Sequence, residues 1–135
     1  GREVVAHRLD ETDEKEFLVE FLRRLKVGGE KALVMVSSTA EVSRWARFLA
    51  KKTTLSVARF DETMSLLERD RQAAWFNRVD TAPGEEEPAS VMLCSELGGE
   101  GRNFQVAHHL VLLGLRSLRR KPATISLRLG RYWRV

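Results

Sequence analysis

One cysteine, three prolines and one tyrosine in 135 residues leave this chain with few covalent or rigid staples. The single Cys94 excludes an internal disulfide. It is expected to be a small buried apolar side chain in a reducing, cytoplasmic compartment. No apolar run approaches the roughly 20 residues that a membrane-spanning helix needs. Gly1-Arg2-Glu3 opens the chain without the apolar core of a signal peptide. His108 and His109 have no Cys, Asp or Glu at ligand spacing, so they are expected to be structural, and no metal site is expected. Phosphate-binding glycine motifs are missing as well. There is no G-x-x-x-x-G-K-[ST], and Gly28-Gly29-Glu30-Lys31 precedes a strand instead of following one. The pattern G-x-G-x-x-G fails because Gly99-Glu100-Gly101 has Phe104 at the third position. The chain therefore holds no recognisable phosphate cradle of its own.

What is present is the composition of an ordinary globular domain, 43% hydrophobic and 31% charged. A single domain of this length buries about two-thirds of its unfolded surface. The net charge of +4 is unevenly placed. Seven cations and no acid lie between Arg116 and Arg134, which leaves 16 Lys and Arg against 19 Asp and Glu elsewhere. Such a basic cluster implies a phosphate-rich partner, or else a solvated tail.

Read in order, the chain alternates helical and strand signals. Thr12 to Lys26 predicts an amphipathic helix, with Phe17, Val19, Phe21, Leu22 and Leu25 near helical spacing and Gly28-Gly29 as its stop. Lys31 to Val36 is a continuous apolar run, as expected of a strand buried on both faces. Ser37-Ser38-Thr39 then caps a helix over Ala40 to Lys52, with Val42, Trp45, Ala46 and Leu49 on one face. A second strand is expected at Leu55 to Phe60. Ser65 opens a further helix, with Glu68 completing a capping box. Leu66, Leu67, Ala73, Ala74, Trp75 and Phe76 of that helix are expected in the core. Asp80 to Ala89 reads as an exposed loop. Ser90 to Cys94 and Leu110 to Leu113 predict two more strands. This alternation predicts right-handed βαβ units in an α/β layered domain.

The stretch that organises the chain is Leu93 to Gln105, LCSELGGEGRNFQ. A buried strand runs into a loop that holds Gly98, Gly99 and Gly101 within four positions. Glycines so close together suggest positive φ angles or a close approach of backbone to a ligand. In open parallel sheets, ligand sites gather where strands end in such loops. A Gly-rich turn with no ligand satisfies the spacing equally well.

Four blocks together resemble a known family. Lys31 to Val36 looks like the first strand (motif IV) of the second RecA-like lobe of superfamily-two helicases and translocases. Phe60 to Asn77 is similar to that family's block "S-x-x-x-R, then F-N". Leu93 to Gln105 resembles motif V. Lys121-Pro122 and Arg128-Leu129-Gly130-Arg131-Tyr132-Trp133-Arg134 resemble motif VI. Within the superfamily the likeness is greatest to SWI/SNF-type ATPases, and among those to bacterial RNA-polymerase-associated ATPases of the RapA type. The chain departs from the pattern in four ways: Leu127 stands where motif VI has Gln, Trp133 where an acid precedes the last arginine, Gly114 where an Asp is common, and the link over Arg116 to Arg120 is longer than the family's. The motif breaks off at Val135, as expected of a fragment of a larger ATPase or of a chain altered near its end.

The resemblance implies a three-layer RecA-like α/β fold with a parallel sheet and helices on both faces. It places residues 1–28 in a leading helix, 31–113 in the sheet core and 114–135 in a basic tail. It implies that ATP and Mg²⁺ bind only in an intact parent, between this lobe and a first RecA-like lobe that carries the phosphate loop. This chain alone is expected to be inactive. Arg131 and Arg134 would be the arginines that meet the γ-phosphate. Gly99, Gly101, Asn103 and Arg128 would lie at the nucleotide, and Ser38 and Ser95 at the phosphate backbone of double-stranded DNA. Arg69 would serve the site or pair with an acid on the core surface. RNA polymerase would be a further partner, with polymerase recycling as the role. A non-catalytic α/β module that binds protein or nucleic acid is the alternative, and Leu127 and Trp133 favour it.

Overall fold

Alternation along four buried strands decides how the layers form. The computed structural model describes residues 3–7, 11–95, 104, 106–115 and 123–128. The element order is β1 (Glu3–His7), α1 (Glu11–Val27), β2 (Ala32–Val36), α2 (Thr39–Lys52), β3 (Val57–Phe60), α3 (Leu66–Asn77), β4 (Val91–Ser95), β5 (His109–Leu115) and β6 (Ala123–Arg128). They build one sheet in the order β1-β6-β5-β2-β4-β3. β3, β4, β2 and β5 run parallel. β6 joins β5 antiparallel, and β1 joins β6 antiparallel.

Because successive side chains point to opposite faces of a strand, each apolar run feeds two cores. Ala32, Val34 and Val36 of β2 and Val91 and Leu93 of β4 pack on one face. There they meet Leu18, Leu22 and Leu25 of α1 and Val42, Trp45 and Leu49 of α2. Leu33 of β2, Met92 and Cys94 of β4 and Ala58 and Phe60 of β3 form the other face with Phe76 of α3. Helices thus cover both faces of the sheet. Each fully buried large side chain among these contributes roughly 2 kcal/mol of apolar burial.

The helix ends follow local chemistry. α1 stops in a Schellman arrangement, in which Glu30 N–H donates to the Leu25 carbonyl at 2.8 Å and Gly29 N–H to Lys26 at 3.0 Å. Gly29 sits at φ +71°, the left-handed region that favours glycine. Ser38 caps α2 by accepting the Glu41 N–H at 3.2 Å, and Ser65 caps α3 by accepting the Glu68 N–H at 3.1 Å.

Three expectations are corrected. Leu66 and Leu67 are 63% and 59% exposed, and Ala74 is exposed too. α3 buries only Phe76 fully. The sheet is also wider than a four-strand parallel core. β1 precedes the leading helix, and β6 lies in the segment assigned to a basic tail. In Ala123-Thr124-Ile125-Ser126-Leu127-Arg128 the apolar residues alternate, a strand period that the surrounding cations obscure.

Candidate functional site

Parallel strands end at a common edge. In register, Val36 of β2 stands beside Ser95 of β4, and Cys94 beside Phe60 of β3. The residues just beyond these strand ends, Ser37-Ser38-Thr39 and Asp61-Glu62-Thr63, therefore converge with Ser95. The glycine-rich stretch after Ser95 begins at the same edge. On its far side Phe104 is 1% exposed. The Phe104 ring meets Phe60 at 5.7 Å and Phe76 at 5.9 Å, both edge to face.

The turn after β3 is held by Asp61, which is fully buried. Its Oδ1 accepts the Thr63 N–H at 2.9 Å and the Thr63 hydroxyl at 2.5 Å. The Met64 N–H donates to the Asp61 carbonyl at 3.2 Å, which closes the turn. The second carboxylate oxygen, Oδ2, lies 3.9 Å from the Arg59 guanidinium. This turn places the exposed Glu62 beside the end of β4. The Ser95 hydroxyl, 1% exposed as a residue, donates to Glu62 Oε2 at 2.5 Å. That hydrogen bond holds the Glu62 carboxyl below its usual pKa, helped by the backbone N–H of Glu62 and by the Thr39 hydroxyl. Thr39 Oγ1 is buried and faces the Glu62 carboxyl, outside ordinary hydrogen-bond geometry.

Of the residues singled out in the sequence, Ser38 and Ser95 are brought to this shared edge. The Ser38 oxygen accepts in the α2 cap, and its own hydroxyl proton remains able to donate. Arg128 is at the opposite edge: its Cα pairs with His109, at the amino-terminal start of β5. Seven strand residues separate the two edges there, roughly 20 Å. Gly99, Gly101, Asn103, Arg131 and Arg134 lie outside the described residues. The Arg69 guanidinium stacks over the Phe60 ring at 5.8 Å. The sequence alone assigns Glu62, Asp61 and Thr39 no role at the site, although Thr39 stands in the capping run and Asp61 and Glu62 in the block Phe60 to Asn77.

The amino-terminal edge is built differently. Lys31 Nζ donates to the carbonyls of Phe76 at 2.5 Å and Arg78 at 2.6 Å, and so caps the end of α3. Its ammonium also lies 5.2 Å from the Phe76 ring centre. Burial, then the Arg78 and Lys26 cations, lower its pKa to about 8. His108 Nδ1 accepts the Lys31 N–H at 3.1 Å, and His108 N–H returns a bond to the Lys31 carbonyl at 2.9 Å. His109 Nε2 lies 3.3 Å from Glu30 Oε2, with the Phe21 ring meeting the imidazole at 5.6 Å. Both histidines are therefore structural parts of this edge. Cys94, between the two edges, has its thiol pushed up to about 12 by burial. That makes it a poor nucleophile.

The family described as "Helicase conserved C-terminal domain" matches residues 13–135. A solved structure titled "Crystal structure of the C-terminal part of Fun30 ATPase domain" is similar in fold, with a TM-score of 0.59 and 18% sequence identity. The match covers 73% of this chain and 30% of that one, so the chain spans less than a third of that structure's length. Together with the parallel strands and their two helical layers, these matches establish a RecA-like α/β fold.

Proposed function

Because the chain belongs to the helicase conserved C-terminal domain family, we propose that it is the second lobe of an ATP-dependent double-stranded DNA translocase of the SWI/SNF class and RapA type. The observation that carries this reading is the convergence of Ser38, Thr39 and Ser95 at the strand ends where the glycine-rich loop begins. Hydroxyl and backbone donors at such an edge suit phosphate oxygens, and they hold a backbone without reading bases. That suits an enzyme that must move along any sequence.

In this reading a first RecA-like lobe supplies the phosphate loop and the Mg²⁺ ligands. Arg131 and Arg134 face the γ-phosphate across the cleft, where a fixed guanidinium stabilises charge that spreads as the phosphoryl group leaves. Gly99, Gly101 and Asn103 shape the loop beside the nucleotide. Arg128, which the resemblance puts at the nucleotide, has its backbone at the far edge from Ser95. RNA polymerase is the partner that the RapA-type resemblance suggests, with recycling of the polymerase as the role.

ATPase kinetics on the intact two-lobe parent test the reading. Arg131→Ala should lower kcat by about 10³ while nucleotide affinity changes modestly. Arg131→Lys should also fail, because an ammonium cannot reproduce the planar fork. Arg120→Ala, in the same basic run but outside the motif, should leave kcat near wild type. Equal behaviour of Arg131→Ala and Arg120→Ala would reduce the tail to a charged surface and favour a non-catalytic module. The strand that holds Leu127, paired with Leu110 and Val4, is the observation that keeps the module as a second reading.

A further inference from the structure

The Glu62 carboxylate occupies the place where the proposed function puts a phosphate. Ser95 is almost wholly buried, and its hydroxyl points at an acid, not at open solvent. The acid itself is exposed and rides on a turn, so it can swing away without disturbing the core. Beside it, Thr39 begins the fourteen-residue helix α2, whose first turn presents the positive end of the helix dipole. Thr39 Oγ1 is buried and makes no hydrogen bond of ordinary geometry. The Glu62 carboxylate draws on both hydroxyls, on Ser95 through a 2.5 Å hydrogen bond and on Thr39 outside ordinary geometry. A tetrahedral oxyanion with oxygens in three directions can accept from both.

We propose that Ser95 and Thr39 form a binding site for a phosphodiester oxyanion, and that Glu62 is its displaceable occupant. This rests on the reading of the chain as a nucleic-acid-binding lobe. It goes beyond it by naming an acid of the chain that competes with the phosphate. Nucleic acid must displace Glu62 to reach Ser95, so the free lobe is held in a weak-binding form. The charge is well suited to this. A carboxylate satisfies buried hydroxyls in the absence of ligand, yet repels a second anion until it moves aside. A neutral residue at position 62 would leave the site open.

The test is a double-mutant cycle on the full chain, read by fluorescence anisotropy with a labelled duplex at several salt concentrations. Glu62→Ala should tighten duplex binding by about tenfold. Glu86→Ala removes the same charge from an exposed loop and should change affinity by less than about twofold. Ser95→Ala should abolish most of the gain in the Glu62→Ala background, because the hydroxyl released by Glu62 is then missing. If Glu62→Ala gains equally with and without Ser95, the effect is simple repulsion and the proposal fails. Amide chemical shifts with inorganic phosphate and with ATP separate the site from its source. Shifts at Ser95 and Thr39 in Glu62→Ala but not in wild type support the oxyanion site. If they occur while no variant binds duplex, the site stands and the DNA reading falls. If duplex binds equally well to wild type and Glu62→Ala and phosphate moves neither amide, the site falls and the DNA reading stands.

Discussion

One polar group at each edge of the parallel sheet, Lys31 at the amino-terminal edge and Ser95 at the carboxyl-terminal edge, is satisfied in opposite ways. At the amino-terminal edge, Lys31 and His108 bond to backbone groups. Those partners cannot leave without unwinding a helix end or a strand. At the carboxyl-terminal edge, the Ser95 hydroxyl donates to an exposed side chain, Glu62, on a turn. A backbone partner makes a bolt, and a mobile side-chain partner makes a latch. The difference shows why the same strands can be anchored at one end and open to ligand at the other.

The largest contrast in stability should come from removing one group from each edge. Lys31→Ala leaves two carbonyls at the end of α3 without their donor and should cost about 2 kcal/mol in urea unfolding. Lys31→Met keeps the apolar stem and should recover only a small part. Glu62→Ala should move the unfolding midpoint less than Lys31→Ala, since removing an exposed side chain lets water take the Ser95 hydroxyl. Comparable losses at Lys31 and Glu62 would break the distinction between bolt and latch.

A smaller effect is expected at Asp61, which belongs to the carboxyl-terminal edge but bonds to a backbone N–H. Asp61→Ala should cost about 1 kcal/mol and should also blunt the effect of Glu62→Ala on duplex binding, because the turn no longer aims Glu62 at Ser95. A stability loss with no change in that coupling would show that Glu62 finds Ser95 unaided.

A separate contrast is the pH dependence of the amino-terminal edge. Lys31 has its folded-state pKa lowered to about 8 from 10.5. Between those values the unfolded chain binds more protons than the folded one, so this group makes stability rise with pH. Below pH 8 both states are charged and the slope from Lys31 vanishes. Urea midpoints of wild type and Lys31→Met between pH 8 and 10 should differ in slope, with the wild type rising more. Parallel slopes would mean that Lys31 keeps its ordinary pKa.

Much of the layering is legible in the order of residues alone. Lys31 to Val36 and Ser90 to Cys94 are apolar without a break, and only a strand covered on both faces needs that pattern. Ser38 and Ser65 are short polar side chains before helical runs, and each caps its helix. Other elements mislead for definite reasons. Leu66 and Leu67 carry the right hydrophobicity yet are exposed, because which face of a helix meets its sheet is decided by the packing and not by local sequence. β6 is hidden because charge density around it outweighs a six-residue alternation.

By itself the sequence determined the α/β layering, the caps, the family motifs and the place of Cys94 in the core. These rest on periodicity and local bonding, which neighbouring residues settle among themselves. Only the tertiary structure decided which strand ends meet. Ser95 and Glu62 are thirty-three residues apart in the chain and 2.5 Å apart in space. Lys31 and Phe76, forty-five residues apart, form the opposite anchor. The parallel register of β2, β3 and β4 brings these groups together, and register is a property of the whole sheet that no single stretch contains.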